Sequence, residues 1–322
     1  MQHAMSNALS TERQPRVLLL GMQGNFSPPS LRALLESGIE VCAVVLPASA
    51  PDLPAIRQRE RPHIAHPVLP LLHTSLLQLA WERRIPVWEV QRIADPEAVS
   101  VLAAYQPDVI CVACFSQRIP RAILDIPRLG CLNVHPSLLP ANRGPVPLFW
   151  TFRERYEQTG VTIHVMDEAM DSGDILAQES FDVPDGISYA QLEAQCAVRG
   201  GALLARTVWD LYRGRAVRVP QDEARSSYHP FPSAEDVVVY AADWSARHVY
   251  NFVCGLAEWG ESIKLCVDGS YFSVQRATSY SHRDIDNVPS GPDGETWMRC
   301  KVGWVKIKMS SQQPFDGLQK II

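Results

Sequence analysis

Fully apolar runs that alternate with helical stretches constrain the fold of this chain more than any other feature. The clearest runs are residues 17–21, 41–46, 109–115 and 131–134. Strands that are apolar on both faces are typical of a parallel sheet covered by helices. The sequence therefore predicts an α/β fold with a mostly parallel sheet.

The segments between these runs carry helix signals. Ser27-Pro28-Pro29 is typical of a helix start, with Ser27 as the N-cap and the prolines in the first turn. Further helices are predicted at residues 75–84, 96–105, 121–124, 146–156 and 188–212, and further strands at 86–90, 161–166 and 175–183. This order repeats the strand–helix–strand unit.

The length of 322 residues is comfortable for two domains. Residues 1–15 are polar and predict a disordered leader, and 16–213 hold the α/β domain. Residues 214–227 are charged without periodicity and predict a linker. Residues 228–322 contain short alternating segments, at 237–240, 263–267, 271–274 and 302–307, which predict a small β-barrel or sandwich.

The charge balance does not favour a nucleic-acid binder, because the formal net charge is −5 and the pI is about 6.0. No apolar run reaches the roughly 18 residues that a membrane span requires. The leader lacks the apolar core of a signal peptide. We therefore expect a cytoplasmic protein without a membrane partner.

Neither cysteines nor histidines indicate a metal or a disulfide. The eight cysteines are scattered, several within strand-like runs, which is typical of buried thiols in a reducing compartment. His63 and His66 lie in a proline-rich loop, a setting that does not favour a metal site. The sequence predicts no metal.

Asn133, His135 and Asp171 are the candidate catalytic residues. Polar side chains at the exit of a buried strand are costly unless they have partners. An amide, an imidazole and a carboxylate can together stabilise an oxyanion and move a proton. Singly, each also fits an ordinary structural role: a turn former, a hydrogen-bonded histidine and a turn cap.

An ordered series of motifs surrounds these residues. Asn133-x-His-Pro-Ser-Leu-Leu-Pro is followed by Arg143-Gly-x-x-Pro, Thr159-Gly-Val-Thr and Asp171-Ser-Gly-Asp-Ile-Leu. The series resembles the 10-formyltetrahydrofolate-dependent formyltransferases, which act on methionyl-tRNA, glycinamide ribonucleotide or amino sugars. The resemblance implies a Rossmann-like catalytic domain at 16–213 and a smaller OB-like β-barrel at 228–322.

The resemblance also assigns roles to the three polar residues. The Asn133 amide would donate to the formyl oxygen, and protonated His135 would stabilise the oxyanion. Asp171 would raise the pKa of His135 and accept the amine proton through a water. His164 alternates with apolar positions in its strand, so a structural or supporting role is expected for it.

By the same resemblance, 10-formyltetrahydrofolate is the co-substrate, and two loops form its slot. Its candidate residues are Phe115, Ser116, Gln117, Arg118, Ile119, Asp167, Glu168, Ala169 and Met170. The family usually has glycine where Ser116 stands, so the serine adds bulk to this slot.

The loop after His135 would border the acceptor. Its candidate residues are Ser137, Leu138, Asn142, Arg143 and Gly144. Arg143 would bind an anionic acceptor or pin the loop to a carboxylate, and the sequence leaves both open.

The acceptor is expected to be a primary amine on a small metabolite such as an amino-sugar nucleotide. The pattern from Asn142 to Trp150 resembles the amino-sugar enzymes, and the loop after Leu46 lacks the basic run of the tRNA enzymes. Chain length and the 228–244 segment favour methionyl-tRNA formyltransferase as the alternative. Hydrolysis of formyltetrahydrofolate, with water as the acceptor, and a non-catalytic binding protein are further alternatives.

Tight binding of tRNA is not expected from the charge of the second domain. Residues 221–322 hold ten basic and thirteen acidic side chains, although Lys301, Lys306 and Lys308 allow a local patch. The oligomeric state is not indicated by the sequence.

Overall fold

The computed structural model describes residues 13–48, 54–61, 75–259, 263–267, 269–285 and 295–309. The leader predicted at 1–15 lies outside these ranges except for its last three residues, and so do His63 and His66. The chain divides into two compact units. The first comprises Met1–Val134 and Gly201–Val217, and the second comprises His135–Gly200 and Arg218–Ile322.

The first unit is built on a mostly parallel sheet. Its strands are β1 (Arg16–Gly21), β2 (Glu40–Pro47), β3 (Ile56–Gln58), β4 (Val87–Val90), β5 (Val109–Ala113) and β6 (Cys131–His135). They lie in the order β3-β4-β2-β1-β5-β6, and only β3 runs antiparallel to its neighbour. Val17 and the three leucines after it in β1 are fully buried, which confirms the α/β fold expected from the apolar runs.

The helices described between these strands are α1 (Ser27–Glu36), α2 (Leu76–Glu82), α3 (Pro96–Ala103) and α4 (Arg121–Leu124). The prediction that Ser27 caps α1 is wrong, because Phe26 holds the cap position and makes no side-chain cap. The Ser27 hydroxyl instead donates to the Ala113 carbonyl (2.6 Å) and accepts from the Met22 amide (2.9 Å). It therefore ties the β1 turn to the end of β5.

The second unit begins at the last residue of β6. It contains α5 (Pro147–Arg153), the antiparallel pair β7 (Gln158–Val165) and β8 (Ile175–Asp182), and the first half of α6 (Tyr189–Tyr212). Ser188 accepts from the Gln191 amide and so caps α6, as predicted.

A five-stranded sheet follows in the same unit. Its strands are β9 (Val238–Tyr240), β10 (Lys264–Val267), β11 (Ser270–Ser281), β12 (Glu295–Arg299) and β13 (Trp304–Met309), in the order β12-β13-β11-β10-β9. The sequence predicted all of these except β12.

The sequence prediction also missed helix α7 (Ala246–Leu256). Val249, Phe252, Val253 and Leu256 are buried, and Ser245 caps the helix through the His248 amide. This spacing is the amphipathic helical pattern, so the signal was present in the sequence. The prediction of a small β-barrel or sandwich did not include this helix, which packs against β11 and β13.

Within the described residues, no helix is both long and apolar enough to cross a membrane. The division at 16–213, 214–227 and 228–322 stays a prediction. Residues 218–227 of the predicted linker nevertheless belong to the second unit, and their contacts are described with the site below.

Candidate active site

His135 lies at the end of β6, two residues after Asn133, so the two side chains leave the strand on the same face. His135 is 3% exposed, whereas Asn133 is half-buried. The strand extends one residue beyond the predicted 131–134, which places His135 in the sheet rather than in the loop. A rigid element therefore positions both groups.

Each ring nitrogen of His135 faces an oxygen from a different loop. Nε2 lies 3.0 Å from the backbone oxygen of Asn142, and Nδ1 lies 3.7 Å from Oδ2 of Asp171. A carbonyl oxygen can only accept, so Nε2 must carry the proton of the neutral ring. Nδ1, beside the carboxylate, is then the position where a proton enters and leaves.

Asp171 is 8% exposed, and its backbone has a φ of 54°, in the left-handed region that aspartate tolerates. Its Oδ2 accepts from the Gly144 amide at 3.0 Å, and its Oδ1 lies 3.5 Å from Nε2 of His164. Burial alone raises the pKa of Asp171. The two histidines and the Gly144 amide outweigh burial and hold that pKa well below its usual range.

Burial and the Asp171 carboxylate act on the pKa of His135 in opposite directions. Burial lowers the pKa of His135 by more than the Asp171 carboxylate and the Asn142 carbonyl raise it. The net pKa of this imidazole is therefore below its usual value, and the ring is neutral at pH 7. Asp171 raises the pKa of His135, as expected, but the lowering of that pKa by burial is larger.

The loop after His135 is held by internal hydrogen bonds. Ser137 Oγ donates to the Ala141 carbonyl at 2.9 Å. Thr162 of β7 donates to the Ser137 carbonyl at 2.7 Å and accepts from the Leu139 amide at 3.2 Å. The Thr-Gly-Val-Thr motif therefore supports the His-Pro-Ser-Leu-Leu-Pro motif.

Arg143 is 8% exposed and its guanidinium bonds to two side chains of the predicted linker. Its Nη2 and Nη1 lie 2.7 and 3.0 Å from the carboxylate oxygens of Glu223. Its Nε and Nη2 also donate to Oε1 of Gln221 at 3.1 and 2.8 Å. The geometry thus agrees with the alternative in which Arg143 pins its loop to a carboxylate.

The predicted folate residues fall in two loops. Residues 115–119 belong to the first unit, where Ser116 and Arg118 are exposed and Ile119 is buried. Gln117 there accepts from the Ile93 amide and donates to the Val90 and Gln91 carbonyls.

The other loop, residues 167–170, belongs to the second unit and is exposed, with Met170 at 50%. Asp167 accepts from the Ala169 amide and from Ser172 Oγ, which shapes this loop.

The second unit therefore brings together His135, Ser137, Asn142, Gly144 and Asp171. The sequence prediction did not include Gln221, Glu223 and Ser227, which lie in an aperiodic charged stretch that carries no signal for them. His164 was expected to have a supporting role, and its contact with Asp171 agrees with that expectation.

The chemistry of this cluster fits formyl transfer. It places the His135 imidazole 3.7 Å from a buried carboxylate, a pair of groups that can move a proton. In the described part of the chain, no group of three or more His, Cys, Asp or Glu residues is placed to hold a metal ion.

Comparison with known proteins places the chain in a family. The sequence model of formyl transferases matches residues 16–208. A methionyl-tRNA formyltransferase of Syntrophus aciditrophicus is 38% identical, over 69% of this chain and 67% of that protein. One from Synechococcus sp. (strain JA-3-3Ab) is 34% identical, over 87% of this chain and 83% of that protein.

A solved structure shares the fold. The sugar 3N-formyl transferase WlaRD superposes with a TM-score of 0.64 at 13% identity, covering 94% of this chain and all of that one. The chain belongs to the formyl transferase family, and it is a one-carbon formyl-transfer enzyme. Members of this family use 10-formyltetrahydrofolate as the formyl donor.

The expectation of an amino-sugar acceptor is wrong. Relatives that are 33–38% identical over most of the chain are methionyl-tRNA formyltransferases, whereas the sugar enzyme shares only the fold. Within the Asn142-to-Trp150 pattern, Asn142 and Arg143 bond to residues 221–229 of the same chain, and Trp150 donates to the Pro230 carbonyl.

Proposed function

We propose that this chain transfers the formyl group of 10-formyltetrahydrofolate to the amino group of methionyl-tRNA in the cytoplasm. The observation that carries the proposal is the identity of 33–38% to methionyl-tRNA formyltransferases over most of the chain. The buried pair of His135 and Asp171 supplies the chemistry that this reaction requires.

The proposed roles follow from the atoms that face one another. 10-Formyltetrahydrofolate supplies the formyl group and leaves with a proton on its nitrogen. Asn133 donates to the formyl oxygen as negative charge develops there. His135 takes the proton of the attacking amine at Nδ1 and becomes a cation beside the oxyanion. Asp171 stabilises that cation, and the same proton then passes to the departing nitrogen.

This assignment changes the roles that the resemblance implied for His135 and Asp171. Because His135 is neutral in the free protein and Nε2 is bonded to the Asn142 carbonyl, His135 acts as the base at Nδ1. The pKa of Asp171 lies well below its usual range, so this carboxylate is a poor proton acceptor and serves as a fixed counter-charge.

The two loops predicted from the resemblance, 115–119 and 167–170, are proposed to bind the folate. Met170 and Phe115 would supply apolar contact to its ring, and backbone groups of both loops would bind its polar edge.

The proposed site for the tRNA body is one face of the five-stranded sheet. Because the alternate residues Val305 and Ile307 are fully buried, Trp304, Lys306 and Lys308 point to the opposite face. Opposite residues of an antiparallel pair share a face.

The strand neighbours extend this set. Residues paired with Trp304, Lys306 and Lys308 are Arg299, Trp297 and Glu295 on β12, and Arg276 pairs with Lys308 from β11. We name the resulting set the cationic face: Arg276, Trp297, Arg299, Trp304, Lys306 and Lys308. Cations interleaved with aromatic rings suit phosphates and bases of RNA.

Among the described residues, the carboxylates of Glu295 and Asp284 bond to side chains of the cationic face. Glu295 binds Lys306 at 2.8 Å and Arg276 at 3.0 Å, and Asp284 accepts from the Trp304 indole at 3.3 Å. Among the described residues, four cations against two carboxylates make this face positive, although residues 221–322 as a whole are acidic. The expectation that tRNA is disfavoured rested on the regional sum, and the relatives do not support it.

We also propose that residues 228–322 form an OB-like barrel domain after a catalytic domain at 16–213. Five strands with one helix packed on β11 and β13 support this assignment.

An acceptor assay tests the proposed function. Purified protein and formyltetrahydrofolate are incubated with charged initiator tRNA, with the same tRNA uncharged, or without acceptor. We expect formylmethionine only in the first reaction. Release of folate at the same rate in all three would instead identify a hydrolase.

A further inference from the structure

We propose that Gln221 is a positioning residue that holds the two catalytic loops in register, as the centre of a bracing segment formed by residues 219–229. The inference rests on the catalytic roles proposed above for His135 and Asp171. It concerns a stretch of chain that the sequence alone presents as a linker.

Gln221 bonds to both catalytic loops at once. Its Nε2 donates to the carbonyl oxygens of Asp171 and Gly173, each at 2.8 Å. Its Oε1 accepts two bonds from the Arg143 guanidinium. A single side-chain amide therefore links the Asp171 loop to the Arg143 loop. It uses both of its N–H donors and both lone pairs of its oxygen.

The bracing segment also holds the Arg143 loop by its backbone. The Arg143 amide donates to the Ser227 carbonyl and its carbonyl accepts from the His229 amide, both at 2.9 Å. The Asn142 amide donates to Ser227 Oγ at 2.7 Å. A Cβ on Gly144 would collide with the His229 carbonyl, so the segment lies directly against this loop.

The other end of the bracing segment holds the strand that follows Asp171. Val219 exchanges two backbone hydrogen bonds with Ile175, at 2.8 and 2.9 Å. The loop carrying Asp171 is thus fixed at its carbonyls by Gln221 and at its exit by Val219.

The consequence falls on His135. Its Nε2 bonds to the Asn142 carbonyl and its Nδ1 faces Asp171. Both groups sit on loops that the bracing segment holds, so Gln221 sets the distance and angle of the proton-transfer pair without touching it. Misplacement of such a pair by about 1 Å can cost a hundredfold in rate.

Gln221→Glu is the sharpest test. It keeps an oxygen for Arg143 but replaces the donor to Asp171 and Gly173 with a second oxygen, which repels both carbonyls. We expect kcat to fall by about tenfold or more with little change in KM. The titration of the His135 ring, followed by NMR of histidine side-chain nitrogens, should move as well.

Two matched variants serve as controls. Glu223→Gln keeps an acceptor for Arg143, and the Glu223 side chain is 69% exposed, so kcat should stay within about threefold. Arg225→Ala alters an exposed residue of the same segment and should leave kcat and the His135 titration unchanged. Melting temperatures of all variants report on folding.

The proposal is overturned if folded Gln221→Glu keeps both the wild-type kcat and the wild-type His135 titration. It is also overturned if Arg225→Ala causes the same losses, because the effect would then be general loosening of the segment. The titration requires no substrate. A protein that fails to formylate methionyl-tRNA would refute the proposed acceptor and leave this test intact.

Discussion

At the scale of single residues, close backbone approach decides where the atoms of the proposed catalytic residues lie. A Cβ on Gly144 would meet the His229 carbonyl, and one on Gly173 would meet the Val165 carbonyl. Gly144 donates directly to Asp171, and Gly173 lies two residues after it. Both glycines therefore let the Asp171 loop and its neighbour pack against other backbone.

Substitution of Gly144 tests this close approach. Gly144→Ala should lower the free energy of unfolding by about 2 kcal/mol through the collision and sharply reduce kcat. Gly24→Ala is the matched control, because Gly24 also has a positive φ, 143° against 122°, but has open space around it. Equal losses of stability for Gly144→Ala and Gly24→Ala in urea unfolding would mean that the positive φ alone, and not the close approach, accounts for the effect.

The three proposed catalytic residues are tested at the same scale. Asn133→Ala, His135→Asn and Asp171→Asn should each lower kcat by at least about a hundredfold. The substitutions at 135 and 171 keep a polar group, because both sites are buried and an apolar replacement would strand its partners. Single-turnover rates and thermal melts distinguish a loss of chemistry from a loss of folding. If a variant folds and keeps normal turnover, the substituted residue has no part in the mechanism.

At the scale of elements, α7 is held to α5 through His248. The imidazole stacks on Trp244 with ring centroids 3.7 Å apart. Its Nε2 lies 3.2 and 3.1 Å from the carbonyls of Phe152 and Arg153 at the end of α5. Carbonyls only accept, so Nε2 carries the proton of a neutral ring. Burial lowers the pKa of His248 from 6.5 to about 4 despite these carbonyls.

This shift predicts how stability depends on pH. The unfolded chain binds a proton at His248 near pH 6.5, whereas the folded chain binds it only near pH 4. Above pH 6.5 the imidazole is neutral in both states, so the stabilisation contributed by the buried, neutral His248 is complete there. It is lost as the pH falls from 6.5 towards 4, by up to about 1.4 kcal/mol per pH unit. Urea titrations of His248→Gln should show a flatter profile than those of the wild type in this window, and an unchanged profile would contradict this role of His248.

At the scale of the whole molecule, charge is arranged unevenly. The formal net charge is −5, yet the cationic face gathers four of the basic side chains on one side of a sheet. Phosphate binding depends on such local density, because neighbouring cations displace the counterions of the same few phosphates. A regional sum of charges therefore does not decide whether RNA binds.

Salt-dependent binding of initiator tRNA tests the cationic face. We expect Arg299→Ala with Lys308→Ala to weaken binding and to reduce the slope of log K against log salt by about one for each lost phosphate contact. Arg32→Ala removes one exposed cation from α1 in the first unit and should leave the slope unchanged. Identical slopes in all three proteins would place the tRNA elsewhere.

The sequence by itself determined the α/β unit, because buried parallel strands must be apolar on both faces and so leave continuous runs such as residues 17–21 and 109–113. It also determined the family, since Asn133, His135 and Asp171 fall within an ordered motif series. The apolar spacing of α7 also indicates a helix. It was not predicted because the segments on both sides of it alternate apolar and polar residues, which is the pattern of strands.

Only the tertiary structure decided what holds these residues. The protonation of His135 depends on burial, which no local sequence pattern indicates. Burial lowers the pKa of His135 by more than the Asp171 carboxylate raises it. Gln221 and Glu223 meet Arg143 across about eighty residues of chain, and polar residues in an aperiodic segment leave no periodic trace of their partners. The cationic face likewise exists only because strand pairing brings Arg276, Arg299 and Lys308 onto one side of a sheet.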